Sequence, residues 1–136
     1  MIGMTPSVLP EKVATLARVA RATPGLHLLL LFGSRARSDA QPGSDWDFGY
    51  LAKPDFDLPA LVATLVETIG SDRVDAVNLE RAGGLLRYRA ARDGQVVFEA
   101  RPRLAEQFCL EAAQFWCDAA PVIQRGYDQV LADVKP

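Results

Sequence analysis

Apolar positions along this chain change period several times, and each change marks an element. Pro10-Glu11 suits the first turn of a helix running to about Ala22, and Thr23-Pro24-Gly25 stops it. Leu26-His27-Leu28-Leu29-Leu30-Leu31-Phe32 is an apolar run that reads as a buried strand, ended at Gly33-Ser34 by residues that favour a tight turn. A short polar segment through Gly43 leads to a second strand at Trp46–Leu51, broken by Pro54 and Asp55. Leu58, Leu61, Val62, Leu65, Val66 and Ile69 then recur at helical spacing. Arg73 to Leu79 reads as another strand, Leu85 to Arg92 as a helix closed by Asp93-Gly94, and Gln95 to Glu99 as a final strand. This order predicts an α/β (α+β) fold, a small mixed sheet of three or four strands with helices packed on one face.

From Pro102 the pattern is helical again. Leu104, Phe108, Ala112, Phe115, Trp116 and Ala119 form one apolar stripe, and Pro121 breaks the run before a second segment with Ile123, Tyr127, Val130, Leu131 and Val134. Packing of both stripes on the sheet is the expected use, with an exposed partner-binding patch as the alternative. No internal repeat or low-complexity tract is present. A chain of 136 residues can bury about two thirds of its unfolded surface, enough for one core without staples. We therefore expect a single domain over residues 1–136, with a core at about 8–100 and C-terminal helices at about 102–134.

A formal charge of −2 and a pI near 5.3 give no bulk attraction to nucleic acid, so no direct nucleic-acid binding is expected. Cys109 and Cys117 lie eight apart on one helix, too far for a disulfide, and read as buried thiols in a reducing compartment. The run at Leu26 is too short to cross a bilayer, so no membrane association is expected and the localisation read is cytoplasmic. His27 is the only histidine and sits within an apolar strand, where a packed or edge role is expected rather than catalysis. Twelve arginines outnumber three lysines, and most of those after the third strand read as a solvated face.

The chemistry concentrates between Gly33 and Asp47. Backbone N–H groups at a Gly-Ser turn opening into a helix make an anion site. Asp45 and Asp47, two apart at the second strand, face the same way. Paired carboxylates on one face ask for hard cations, with Mg²⁺ the natural candidate, and a two-metal site clamps the attacking and leaving oxygens of an in-line displacement. An Asp-x-Asp alone is more often an ordinary acidic turn; joined to Gly33-Ser34 across ten intervening residues, it is far rarer by chance. Asp75 interrupts an apolar strand start and becomes the third ligand candidate, able to act as a base toward an acceptor hydroxyl. Arg35 and Arg37 follow the turn directly, and Arg35 is preferred as the one reaching triphosphate oxygens. The P-loop and dinucleotide glycine patterns are both absent.

Leu31-Phe32-Gly33-Ser34-Arg35-Ala36-Arg37, Ser44-Asp45-Trp46-Asp47-Phe48 and Val74-Asp75-Ala76-Val77 together resemble the Gly-Ser-x10-Asp-x-Asp signature, with its later Asp, of minimal nucleotidyltransferases in the polymerase-beta-like superfamily. The resemblance spans about residues 8 to 100. It implies the nucleotidyltransferase fold, ATP as co-substrate, two Mg²⁺ ions, Gly33 and Ser34 near the nucleotide phosphates, and Asp45, Asp47 and Asp75 as a catalytic, metal-binding triad. Ser38 stands where the family usually carries Gly, and Phe48 where Leu is usual, which bears on packing more than on metal chemistry.

Minimal proteins of this type are similar to the antitoxin halves of HEPN/MNT (type VII) toxin–antitoxin pairs, which attach AMP to a tyrosine of a HEPN ribonuclease partner. The resemblance therefore implies a protein adenylyltransferase acting as antitoxin, with a HEPN-family toxin as partner. Two other readings stand beside it: a nucleotidyltransferase for a small hydroxylated molecule such as an antibiotic, and a catalytically silent binding subunit. Acceptor-specific small-molecule transferases commonly need a further domain, and the acidic triad argues against a silent subunit.

Overall fold

The computed structural model describes residues 10–37 and 43–118. In chain order, α1 (Pro10–Arg21) leads into β1 (Leu26–Phe32), followed by the single turn α2 (Ser34–Arg37) and by β2 (Trp46–Ala52). Then come α3 (Leu58–Ile69), β3 (Val74–Asn78), α4 (Gly84–Asp93) and β4 (Gln95–Glu99). A fifth helix, α5, occupies residues 104–118. The expectations for Ser38 and for Ala119 to Val134 lie outside the described residues.

Local chemistry sets the boundaries of α3. The Asp57 carboxylate accepts from the Ala60 N–H at 3.1 Å, and Gly70, at φ 79°, donates its N–H to Val66 O at 2.8 Å. This helix joins β2 to β3, and a crossover of that kind is what a parallel pair requires. β2 and β3 are parallel, β1 is antiparallel to both β2 and β4, and the sheet order is β3-β2-β1-β4. A four-stranded mixed sheet with helices is the architecture the sequence leads one to expect.

β1 is internal, and its leucines alternate between two clusters. Leu29 and Leu31 pack with Leu16 and Ala20 of α1 and with Leu61 and Leu65 of α3, whereas Leu28 and Leu30 pack with Ala90 and Ala91 of α4 and with Leu104, Phe108 and Cys109 of α5. Helices therefore cover both faces of the sheet, not one. The reason is visible in β1 itself: four consecutive leucines, all without solvent exposure, need two apolar partners, because a strand wet on one face alternates. A register shift between Leu26 and Leu28 against β2 leaves His27 exposed. Phe48 is fully buried on the α1/α3 side, so the Leu-to-Phe departure is one of core packing.

The α5 stripe packs on the sheet through Leu104, Phe108 and Ala112, while Leu110 and Phe115 remain 58% and 55% exposed. Trp116 stacks on Tyr88 of α4 with ring centroids 5.4 Å apart. The expectation of two buried thiols holds for Cys109 and fails for Cys117, which is exposed. Beyond Ala112 no described residue of α5 is buried, so by Cys117 the helix no longer lies against the core.

Cys109 lies against Ala91 O at 3.7 Å, and burial pushes its thiol up to about 11. A thiol-specific reagent at pH 8 is thus expected to modify Cys117 quickly and Cys109 only after denaturation. Cys117→Ser should remove the fast reaction, and two fast thiols in the native protein would contradict this packing.

Candidate active site

β1 ends at the side of the sheet where β2 and β3 begin. The register aligns Phe32 with Asp47 and Asp47 with Asp75, so three adjacent strands present these residues at one level. Trp46, Phe48 and Tyr50 pack with α1 and α3, which turns Asp47 to the opposite, α4/α5 side, with Asp45 just before the strand. β3 repeats the alternation, with Val74 and Ala76 on the α1/α3 side and Asp75 sharing the other with Val77. Asp47 and Asp75 are therefore cross-strand neighbours on one face, on strands about 4.8 Å apart. Asp47 is partly buried; Asp45 and Asp75 are exposed.

Like charges on adjacent strands repel, and Asp45 is drawn instead to a cation. Arg73 Nη1 lies 3.7 Å from Asp45 Oδ1. Among the described residues no three acidic, histidine or cysteine side chains converge closely enough to hold a metal ion. Backbone register thus brings Asp47 and Asp75 together, and Asp45 leans to Arg73. The sequence reading assigned Arg73 no role. Its signal lay in the register: where Asp75 stands beside Asp47, the residue two earlier stands beside Asp45, and Trp46 N–H donates to Arg73 O at 2.8 Å.

Gly33 joins the turn to the acids. Its φ of +76° lies in the left-handed region, and a Cβ built there would sit 2.5 Å from Asp47 Oδ2. The carboxylate consequently lies directly against the backbone of the turn. Ser34 opens α2, whose Ala36 N–H donates to Gly33 O at 3.1 Å.

Arg35 departs from the expectation that it reaches for phosphate. Its guanidinium stacks over Trp46 at 4.5 Å from the ring centroid, and Nη2 donates to Ser44 O at 3.0 Å. Lys12 Nζ lies 5.2 Å from the same ring. Trp46 faces away from the carboxylates, so both cations stand on the other side of the sheet from Asp45, Asp47 and Asp75. Sequence reading missed this pairing because it requires knowing which face Trp46 takes.

Known proteins resemble this chain in sequence and in fold. The model for the polymerase beta nucleotidyltransferase family matches residues 14–103. The protein adenylyltransferase MntA of Aphanizomenon flos-aquae (strain 2012/KM1/D3) is 31% identical over 111 residues, covering 67% of this chain and 73% of that protein. A crystal structure of a toxin–antitoxin with AMP-PNP superposes with a TM-score of 0.71 at 25% identity, over 91% of this chain and 99% of that one. A structure of a tri-AMPylated Shewanella oneidensis HEPN toxin in complex with its MNT antitoxin gives a TM-score of 0.64 at 26% identity, over 89% and 94% of the two chains. No helix among the described residues is long and apolar enough to cross a membrane.

Two glycines with positive φ offer a matched test of the turn. A Cβ at Gly33 meets the Asp47 carboxylate, whereas at Gly43, φ +88°, it meets no described residue within 4 Å. Both Gly33→Ala and Gly43→Ala should lower stability by about 1–3 kcal/mol through backbone strain. Only Gly33→Ala should weaken AMP-PNP binding in calorimetric titration with Mg²⁺, and equal affinities in the two variants would count against a phosphate-binding turn at Gly33.

Proposed function

We propose, because this chain belongs to the polymerase beta nucleotidyltransferase family, that it transfers AMP from ATP to a tyrosine hydroxyl of a HEPN-type ribonuclease toxin and thereby acts as its antitoxin. The observation that carries this reading is the 31% identity, over 73% of its length, to a protein adenylyltransferase. Likeness to a chain from the complex containing a tri-AMPylated HEPN toxin supports the acceptor. We assign the protein to the cytoplasm, where ATP and such a partner meet.

In this reading Asp45, Asp47 and Asp75 hold two Mg²⁺ ions, and Gly33 and Ser34 receive the nucleotide phosphates. Supporting the assignment are hard oxygen donors on one sheet face, the Asp47–Asp75 register, and the contact of Asp47 with Gly33. The metal ions, when bound, supply charge neutralisation for the triphosphate and for the oxygens entering and leaving phosphorus.

The chain's own residues then orient the reaction. The acceptor phenol oxygen forms a bond to the α-phosphorus of ATP, the bond from that phosphorus to the α,β-bridging oxygen breaks, and pyrophosphate leaves. A phenol has an unperturbed pKa near 10 and is a poor nucleophile at neutral pH. Asp75, exposed beside Asp47, is the base assigned to take its proton. The partner protein supplies the acceptor's orientation, converting a bimolecular encounter into attack within a complex. AMP attached to the toxin adds a phosphodiester's negative charge where RNA must bind.

Incubating the purified chain with its HEPN-type partner, ATP and Mg²⁺ should raise the partner's intact mass by one or more AMP units. Asp47→Asn should stay folded and lose about 10²–10³-fold in rate, the size of losing one stabiliser of transition-state charge. An unchanged partner mass, together with an Asp47→Asn variant that still protects cells from the toxin, would replace transfer with simple binding.

A further inference from the structure

We infer that Arg35 is a positioning residue: it ties the start of β2 to the turn that ends β1, and so sets the attitude of the Asp45 and Asp47 carboxylates. The inference rests on the acidic site proposed above. It does not make Arg35 a phosphate ligand.

Arg35 lies two residues beyond Gly33, and its side chain returns to the chain nine residues later, donating to Ser44 O at 3.0 Å. Ser44 immediately precedes Asp45. The same guanidinium stacks at 4.5 Å over Trp46, the residue between the two acids. These two contacts of one side chain fall on the acid-bearing segment itself. Trp46 is a firm anchor, being buried among the α1/α3 residues with its N–H bonded to Arg73 O at 2.8 Å.

Strand alternation transmits the constraint. A Trp46 ring fixed on one face fixes the directions of Asp45 and Asp47 on the other. The fixed Ser44 carbonyl also holds the backbone just before Asp45, which lies outside β2 proper. Arginine suits the task because a planar guanidinium stacks with its face while donating from its edge, whereas a lysine ammonium is a point charge. Lys12 Nζ at 5.2 Å adds a second cation to the ring. The charge of Arg35 lies across the sheet from the carboxylates, so its loss should disturb their geometry more than nucleotide affinity.

Arg35→Ala, Arg35→Lys and Asp47→Asn test this in the AMP-transfer assay with the HEPN-type partner, alongside Mn²⁺ titration of the chain by calorimetry and thermal unfolding. Misplacing reacting groups by about 1 Å can cost about 10²-fold, so Arg35→Ala should lower kcat by about 10- to 100-fold. KM for ATP should move little, and Mn²⁺ affinity should fall. Arg35→Lys should keep the native fold yet recover neither kcat nor Mn²⁺ affinity fully, an outcome that lost stability alone does not produce. If Arg35→Ala does not fold, the Lys variant decides. Native kcat and native Mn²⁺ affinity in a folded Arg35→Lys, with Asp47→Asn inactive, would overturn the positioning role and leave the acidic site standing. Native turnover by Asp47→Asn would overturn the site and, with it, this inference.

Discussion

Burial of β1 on both faces, with hydrogen-bonded neighbours on both edges, is the constraint from which the rest of the structure follows. Four fully buried leucines in succession demand α1 and α3 on one side and α4 and α5 on the other. Pairing with β2 and β4 satisfies the backbone of β1 along its length. A strand so enclosed has little freedom in register, because a one-residue slip would exchange its two apolar partners. Its end point is therefore well defined. Gly33 sits there, and its left-handed conformation lets the chain leave the sheet against the side chain of Asp47.

Electrostatics then works against the fold at one place. Asp47 and Asp75 are cross-strand neighbours, and Asp45 stands just before β2. An arrangement chosen for stability alone would put opposite charges there. Arg73 partly offsets Asp45, at 3.7 Å between exposed groups, a pairing worth at most about 1 kcal/mol. In the proposed reading, bound cations would offset this locally unfavourable charge.

Much of this was legible in the residues. The apolar run of β1, the helical spacing of α3, the Asp93-Gly94 stop and the strand that carries Asp47 all follow from period and turn chemistry. The second layer of helices was missed: helices were expected on one face, and although Leu28 to Leu31 leave no wet face, helix patterns alone do not say which side of a sheet they cover. Arg73 and Arg35 were not legible. Their roles depend on strand register and on the face taken by Trp46, which are tertiary facts set by the crossover through α3. Cys117 was not legible as exposed, because where α5 stops packing on the core, after Ala112, is a tertiary fact.

Calorimetric titration of AMP-PNP into the native chain and into an Asp45→Asn, Asp47→Asn double variant, with Mg²⁺ and again with the metal chelated, tests the central claim most directly. The native chain should bind the nucleotide with Mg²⁺ and lose most of that affinity when the metal is removed. The folded double variant should bind weakly under both conditions. Equal, metal-independent affinity in the two proteins would contradict a nucleotide site built on these carboxylates.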